Sequence, residues 1–416
     1  MNVFRNALAI TSMILLGAIP ATALSFEPGP NIQEAVQEAL ILAEPGDTIE
    51  FAPGIYNFTS SLSLDVDNVT LRGAGMNETI FSFKNQNAGS EGIIVTSDGV
   101  RLEGFAVEDA IGDAIKVKGV KGITFYKVRT EWTNGPDEKN GAYGFYPVES
   151  TDVLIDRCVA IGASDAGIYV GQSRNIIVRN SIAKYNVAGI EIENCYNADV
   201  IGCLATRNTA GILVFDLPNL PQQGGHNIRV LNCLSINNDT KNFAPEGNIV
   251  GLVPTGTGMI VMANHNVEIF DNVFSGNSTG NLFIRRFIYS DGSKVDPNYY
   301  PYPTAINIHH NRFTKGGYEP MGVRGKLFQA AAKEDTLADI VWDGSIDPKK
   351  AINGKLPPEL GIYLYKNKKA TFINLDLDTY LKDPAASKPS RDIKGMKGSL
   401  PSLPPIVIPG DHQGTD

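Results

Sequence analysis

A five-residue pattern recurs at a fixed step through the middle of the chain, and that step limits the fold more than any other feature. Ala166-Gly167-Ile168-Tyr169-Val170, Ala188-Gly189-Ile190-Glu191-Ile192 and Ala210-Gly211-Ile212-Leu213-Val214 follow one another every 22 residues, and Thr257-Gly258-Met259-Ile260-Val261 repeats the pattern after an insertion. Each copy is followed by a second short apolar run (176–178, 198–200, 228–230, 267–269, with a further run at 306–308) and then by a position held by Ser181, Cys203, Cys233, Asn272 and Asn311, in line with Cys158 upstream. Diverged copies stand at Val69–Leu71, Val100–Leu102 and Ile123–Phe125. A unit this short cannot bury its own apolar face, so the units must stack into a solenoid. The expected fold is all-β: a right-handed parallel β-helix with coils about 4.8 Å apart. Alternation along the strand sends Ile168, Ile190 and Ile212 inward as one column.

The turns supply the rest of the pattern. The chain carries 42 Gly among its 416 residues. Asn175, Asn227 and Asn266 share one turn position and Asn186 and Asn208 another, which predicts asparagine ladders, since Asn tolerates the left-handed backbone of such turns. Cys203 and Cys233 should stack inside on consecutive coils as members of a small polar column.

The ends depart from the repeat. Residues 1–23 read as a signal peptide: Arg5, an apolar stretch from Ala7 to Ile19, and the small-residue pattern Ala21-Thr22-Ala23 before the cut. That stretch is short for a membrane anchor, so the mature protein is expected to be periplasmic or secreted and not a membrane protein. Residues 24–47 hold an amphipathic capping helix at Ile32–Ala43, residues 48–315 the β-helix, and residues 316–383 a C-terminal cap with a helix near Lys326–Ala338. Within that cap lie an apolar stretch at Ile340–Trp342 and strands near Ile362–Leu364 and Thr371–Leu375. Residues 384–416 are expected to be a Pro-rich flexible tail.

With 36 Lys and Arg against 45 Asp and Glu, a net charge of −9 and no basic run, nucleic acid is excluded as the main partner, because phosphate binding needs clustered cations. The outward residues of the first repeated strand change character coil by coil: Lys116 and Lys118, Tyr146 and Val148, Tyr169 and Gly171, Glu191 and Glu193, then Leu213 and Phe215, Ile260 and Met262. The apolar half should lie under an insertion or the cap. The polar half is the candidate groove for a polysaccharide or oligosaccharide, with Lys116, Lys118, Tyr146, Tyr169 and Glu191 as its binding residues. Glu191 and Glu193 point the same way and, with Asp165 and Asn194 nearby, are candidates for Ca²⁺ through hard oxygen ligands. His226 and His265 fall at one turn position on consecutive coils and form a second, weaker metal candidate, with His309 as a third ligand from the next coil. The insertions at 130–143, 216–225, 239–256 and 286–303, carrying Trp132, Tyr289, Tyr299, Tyr300 and Tyr302, are where functional loops are expected.

The opening segment, from Ile32 through Pro53-Gly54-Ile55-Tyr56 to Leu71-Arg72-Gly73-Ala74-Gly75, resembles the start of pectate-lyase-like parallel β-helix proteins. The run Ser164–Ser173 with Asn186–Asn194, and Trp342-Asp343-Gly344 further on, resembles a family of exported bacterial parallel β-helix repeat proteins of unknown function, often encoded beside a second exported protein. The resemblance implies the fold, the compartment and a protein partner. Lyases on this fold use a similar Glu-x-Glu pair for Ca²⁺; their downstream Lys and Arg have no counterpart here, where Lys184 and Arg207 stand on a neighbouring face. One expectation is therefore carbohydrate binding or Ca²⁺-assisted lyase or epimerase chemistry on an acidic polysaccharide by a monomer. The other is a non-enzymatic periplasmic scaffold, or an accessory to a metal or redox centre, working with that second exported protein.

Overall fold

The computed structural model describes residues 23–289 and 294–411; the signal-peptide reading falls almost wholly outside them. Within them, three parallel sheets of twelve, eleven and ten strands wind as a right-handed β-helix. The 22-residue step becomes a register: Ile168 pairs with Ile190 and Ile190 with Ile212 on successive coils, and all three are fully buried. Each inward residue thus packs between copies of itself.

Both turn positions form ladders, by different means. At the first, Asn175, Asn197, Asn227 and Asn266 are left-handed, with φ of 53°, 58°, 58° and 57°, and their side-chain amides bond from coil to coil at 2.6–3.3 Å. At the second, the left-handed residues are Tyr185, Arg207 and Asn237, each one place earlier. Asn186 and Asn208 are kept there for their amides instead: Asn186 donates to Asn208, Asn208 to Asn238 and Asn238 to Asn277 at 3.0–3.1 Å, all buried. The third column also stacks as expected. The Cys203 amide donates to the Cys233 sulfur and the Cys233 amide to Asn272, and Cys158, Cys203 and Cys233 are buried free thiols.

A helix at Ile32–Leu42 closes the first coil, with Ile32, Val36, Ala39 and Leu40 joining the core beside Tyr56, Phe58 and Leu62. The strand Ala23–Phe26 precedes it and pairs in register with Thr48–Phe51, so the segment 24–47 is strand and helix together.

Two boundaries need correction at the far end. The sheets do not stop at residue 315: Ile340–Trp342, Ile362–Tyr365 and Phe372–Asn374 add parallel strands to them, and the helix that precedes these strands spans Gly322–Ala332, ended by left-handed Lys333. Long excursions between these strands hide the period from the sequence. Nor is the tail free along its described length. Ile406 and Ile408 pack on Leu154 and Ile177, the Ile406 and Leu403 amides donate to Asp199 and Glu268, and Arg179 clasps Asp411 at 2.6 and 2.8 Å. Proline cannot join a sheet ladder, yet outward acids on the sheet take the N–H groups the tail retains. No helix of the described residues is long and apolar enough to cross a membrane.

Candidate functional site

The repeated strands Tyr143–Val148, Ala166–Gly171 and Ala188–Glu193 stack the outward residues as alternation requires: Lys116 pairs with Tyr146, Tyr169 with Glu191, and Gly171 with Glu193. The next coils continue with Leu213 and Phe215, then Ile260 and Met262. This apolar half lies under the chain's own loops and the Gly322–Ala332 helix, among Leu217, Val250, Val253, Phe328 and Leu337. A stripe covered in this way offers no open face to a second protein.

The polar half is covered too, and this corrects the expectation of an open groove. Tyr169, Glu191 and Glu193 are only 5%, 2% and 8% exposed. The insertions fold back over them and leave a cavity of about 420 Å³, lined by Tyr143, Asp165, Glu191, Glu193, Leu217–Leu220, Asn248–Val250, Phe287, Tyr289 and Lys294. The loop 216–225 is held down from below. Asn194 accepts from the Leu217 amide and donates to the Leu217 and Gln222 carbonyls, while Asp216 takes the Gly224 and Gly225 amides. Asn194, proposed near a cation, is therefore spent on loop geometry.

Among the described residues, three carboxyl groups meet the cavity, and burial dominates their chemistry. Removal from water, followed by repulsion among neighbouring acids, raises Asp165 to about 7 and pushes Glu191 far above the ordinary range. Burial likewise raises Glu193 to about 7, although the Tyr169 hydroxyl, donating to it at 2.6 Å, favours its anion. Asn248 donates to Asp165 at 3.2 Å. Glu191 Oε2 has no partner despite complete burial. Burial without a partner favours the protonated form of such an acid.

The other sequence candidates lie around this centre or away from it. Tyr143, Tyr146 and Tyr169 pack on one another, with ring centroids 4.4–5.1 Å apart; Tyr169 is thus packed behind the lining residue Tyr143, not an open platform for a sugar ring. Lys116 is tied to Glu91 at 3.1 Å and lies over the Tyr146 ring. Lys118 points to solvent near Glu149. Neither lysine lines the cavity, and the cation that does, Lys294, comes from a loop.

His226 and His265 are register partners as expected, but each is engaged separately: His226 Nδ1 with the Gly224 carbonyl, its ring against Tyr196, and His265 Nδ1 with Thr304. Thr304, not His309, follows His265 on the next coil; His309 pairs in register with Phe270 and bonds Glu268. Trp132 is buried with its indole N–H on the Ala110 carbonyl. The oxygen donors at the cavity suit a hard cation, and the orphaned Glu191 oxygen would accept one. Yet among the described residues no three His, Cys, Asp or Glu side chains converge as a metal site. Asp165, Glu191 and Glu193 are neighbouring acids, not a preformed cage.

Sequence reasoning located the insertions but not Tyr143, Asn248, Phe287 or Lys294 within them. The only available signal was loop length.

Residues 54–221 match the family model for the right handed beta helix region. No curated protein matches the chain by sequence. Among solved structures, the chain is similar to the A-module of a mannuronan C-5 epimerase from Azotobacter vinelandii, at 15% identity and a TM-score of 0.46, over 76% of this chain and 87% of that one. It is also similar to pectate lyase Pel9A, at 16% identity and 0.40, over 71% and 77%. A third is the N-terminal fragment of gene product 12 of bacteriophage Phi29, at 14% and 0.40, over 68% and 59%.

Proposed function

We propose that the chain is a carbohydrate-active β-helix protein that binds a short saccharide segment in the loop-covered cavity and protonates it from Glu191. The observation that carries this reading is the Glu191 carboxyl: buried, unpartnered at Oε2, and set at the cavity wall beside two acids that titrate near neutral pH. A general acid works best when it holds its proton at the working pH while a neighbour can release one. Asp165 and Glu193 supply the second function. Hydroxyl groups of a sugar would find both acceptors and donors here, with Leu217, Val250, Phe287 and Tyr289 as apolar walls for the ring faces.

A uronate is met less well, because Lys294 is the lone cation on the lining among the described residues. Ca²⁺ would supply the missing positive charge, and binding it would require Asp165, Glu191 and Glu193 to turn toward a common point. Calcium-assisted lyase or epimerase action on an acidic polysaccharide is the second reading on that ground.

Calorimetric titration with neutral and uronate oligosaccharides, with and without Ca²⁺, tests both readings, followed by product analysis for new reducing ends and unsaturated uronates. The expected result is binding that survives Glu191→Gln within about tenfold, with product formation lost in that variant. Absence of binding for every saccharide class, under both conditions, rejects the function.

A further inference from the structure

A second cavity, of about 240 Å³, lies beyond the wall formed by Ile249 and Phe287 and differs in chemistry from the first. Its lining is apolar (Phe215, Ile260, Met262, Phe283 and Phe328 among others) except for two guanidinium groups, Arg285 and Arg324. Arg285 stands on the same outward column as Glu193, Phe215 and Met262, and it is only 7% exposed. Among the described residues it has no ion pair; its side-chain hydrogen bond is a long one, 3.4 Å from Nε to the Arg286 carbonyl. The buried Asp343 carboxylate lies close enough to feel Arg285 electrostatically but makes no ion pair with it, and its oxygens take the Ser345 and Arg286 amides; Arg286 itself pairs with Asp378. Arg324, from the Gly322–Ala332 helix, has no carboxylate partner among the described residues either, and burial lowers its affinity for its proton as it does for Arg285.

Two like charges brought together in an apolar pocket with no directly paired counter-ion are costly to fold, because a desolvated ion recovers its hydration energy only from a close opposite charge or from good hydrogen bonds. Arginine, with its planar fork of donors, is the side chain best shaped to hold a carboxylate. We propose that this pocket binds a compact organic carboxylate with an apolar body, its head on Arg285 and Arg324 and its body among Phe215, Phe283 and Phe328. The volume falls just below the usual span of ligand cavities, roughly 300–1,000 Å³, so the ligand is a medium-chain or aryl acid, not a lipid. The inference does not depend on the saccharide reading, since the two cavities take different probes.

Octanoate is the test ligand, titrated calorimetrically into the purified protein, with acetate, octanol and octylammonium as controls. Octanoate should bind at one site at least about tenfold more tightly than any control. Arg285→Met should cost at least that factor while raising the melting temperature of the ligand-free protein, because an unpaired buried charge is removed. Arg324→Gln, at a less buried helix position, should weaken octanoate in the same direction and serves if Arg285→Met does not fold. Equal binding of octanol and octanoate, preference for octylammonium, or unchanged affinity in both arginine variants overturns the proposal.

Discussion

Glu191 is where the cost of the cavity is concentrated. An acid whose affinity for protons rises on folding takes up protons as the chain folds, so the folded state is favoured most at low pH. For Asp165 and Glu193, raised to about 7, this contribution is complete below the unfolded values near 4 and is lost as the pH climbs to about 7; Glu191 acts in the same direction. Other charges on the molecule titrate as well, so the informative quantity is a difference. The stability gain of Glu191→Gln over the natural chain should grow from pH 5 to pH 8 in urea unfolding. Added Ca²⁺ should shrink that gain at pH 8, and not at pH 5, if the acids can be drawn onto a cation. A gain independent of pH would mean that Glu191 is not held against its charge.

At the scale of the element, the coil is a hydrogen-bonded layer as much as an apolar one. Asn208 sits mid-ladder. It accepts from the Asn186 side chain and backbone, and donates to Asn238 and to the Ala183 carbonyl. Asn208→Leu removes those partners together and leaves the buried Asn186 backbone N–H unpaired, a loss of about 1–3 kcal/mol. Asn266→Ala, at the more open ladder, should cost less than Asn208→Leu, as the denaturation midpoints of the two variants will show. Such ladders were legible in the sequence because residues one period apart are in contact, so a repeat in the text is a contact in space. Asn186 and Asn208 were found by period although the left-handed residue stands one place before them. The site was legible by half. Alternation says that Glu191 and Glu193 point outward from the solenoid, but outward is not exposed, and what covers a strand comes from insertions that carry no period. Asn248 is 83 residues from the Asp165 it bonds. Two loops of unrelated length set that contact, and nothing in their composition announces it.

Across the whole molecule, the same limit explains the tail. Residues 384–416 read as flexible because they are rich in proline and have no repeat, yet their described part runs back along the sheet that carries Glu268, Asp199 and Arg179. What holds it is the outer face of the coils. Arg229 bridges to Asp199 with two contacts of 2.6 and 2.7 Å, and the second oxygen of Asp199 also takes the Ile406 amide. Arg179 lies between Asp156 and Asp411, and its guanidinium side chain is only 15% exposed. The strap thus ties several coils together lengthwise, across the direction in which the sheets bond. Deleting residues 399–416 exposes Leu154 and Ile177, removes the burial of Ile408, and leaves Arg179 with one partner in place of two. The loss should be about 2 kcal/mol or more from the apolar contacts alone, with a lower melting temperature at every salt concentration. Asp411→Asn should reproduce only the electrostatic part, a smaller loss that narrows as salt is raised. A truncated chain that melts with the natural one would return the tail to the flexible segment its composition suggests.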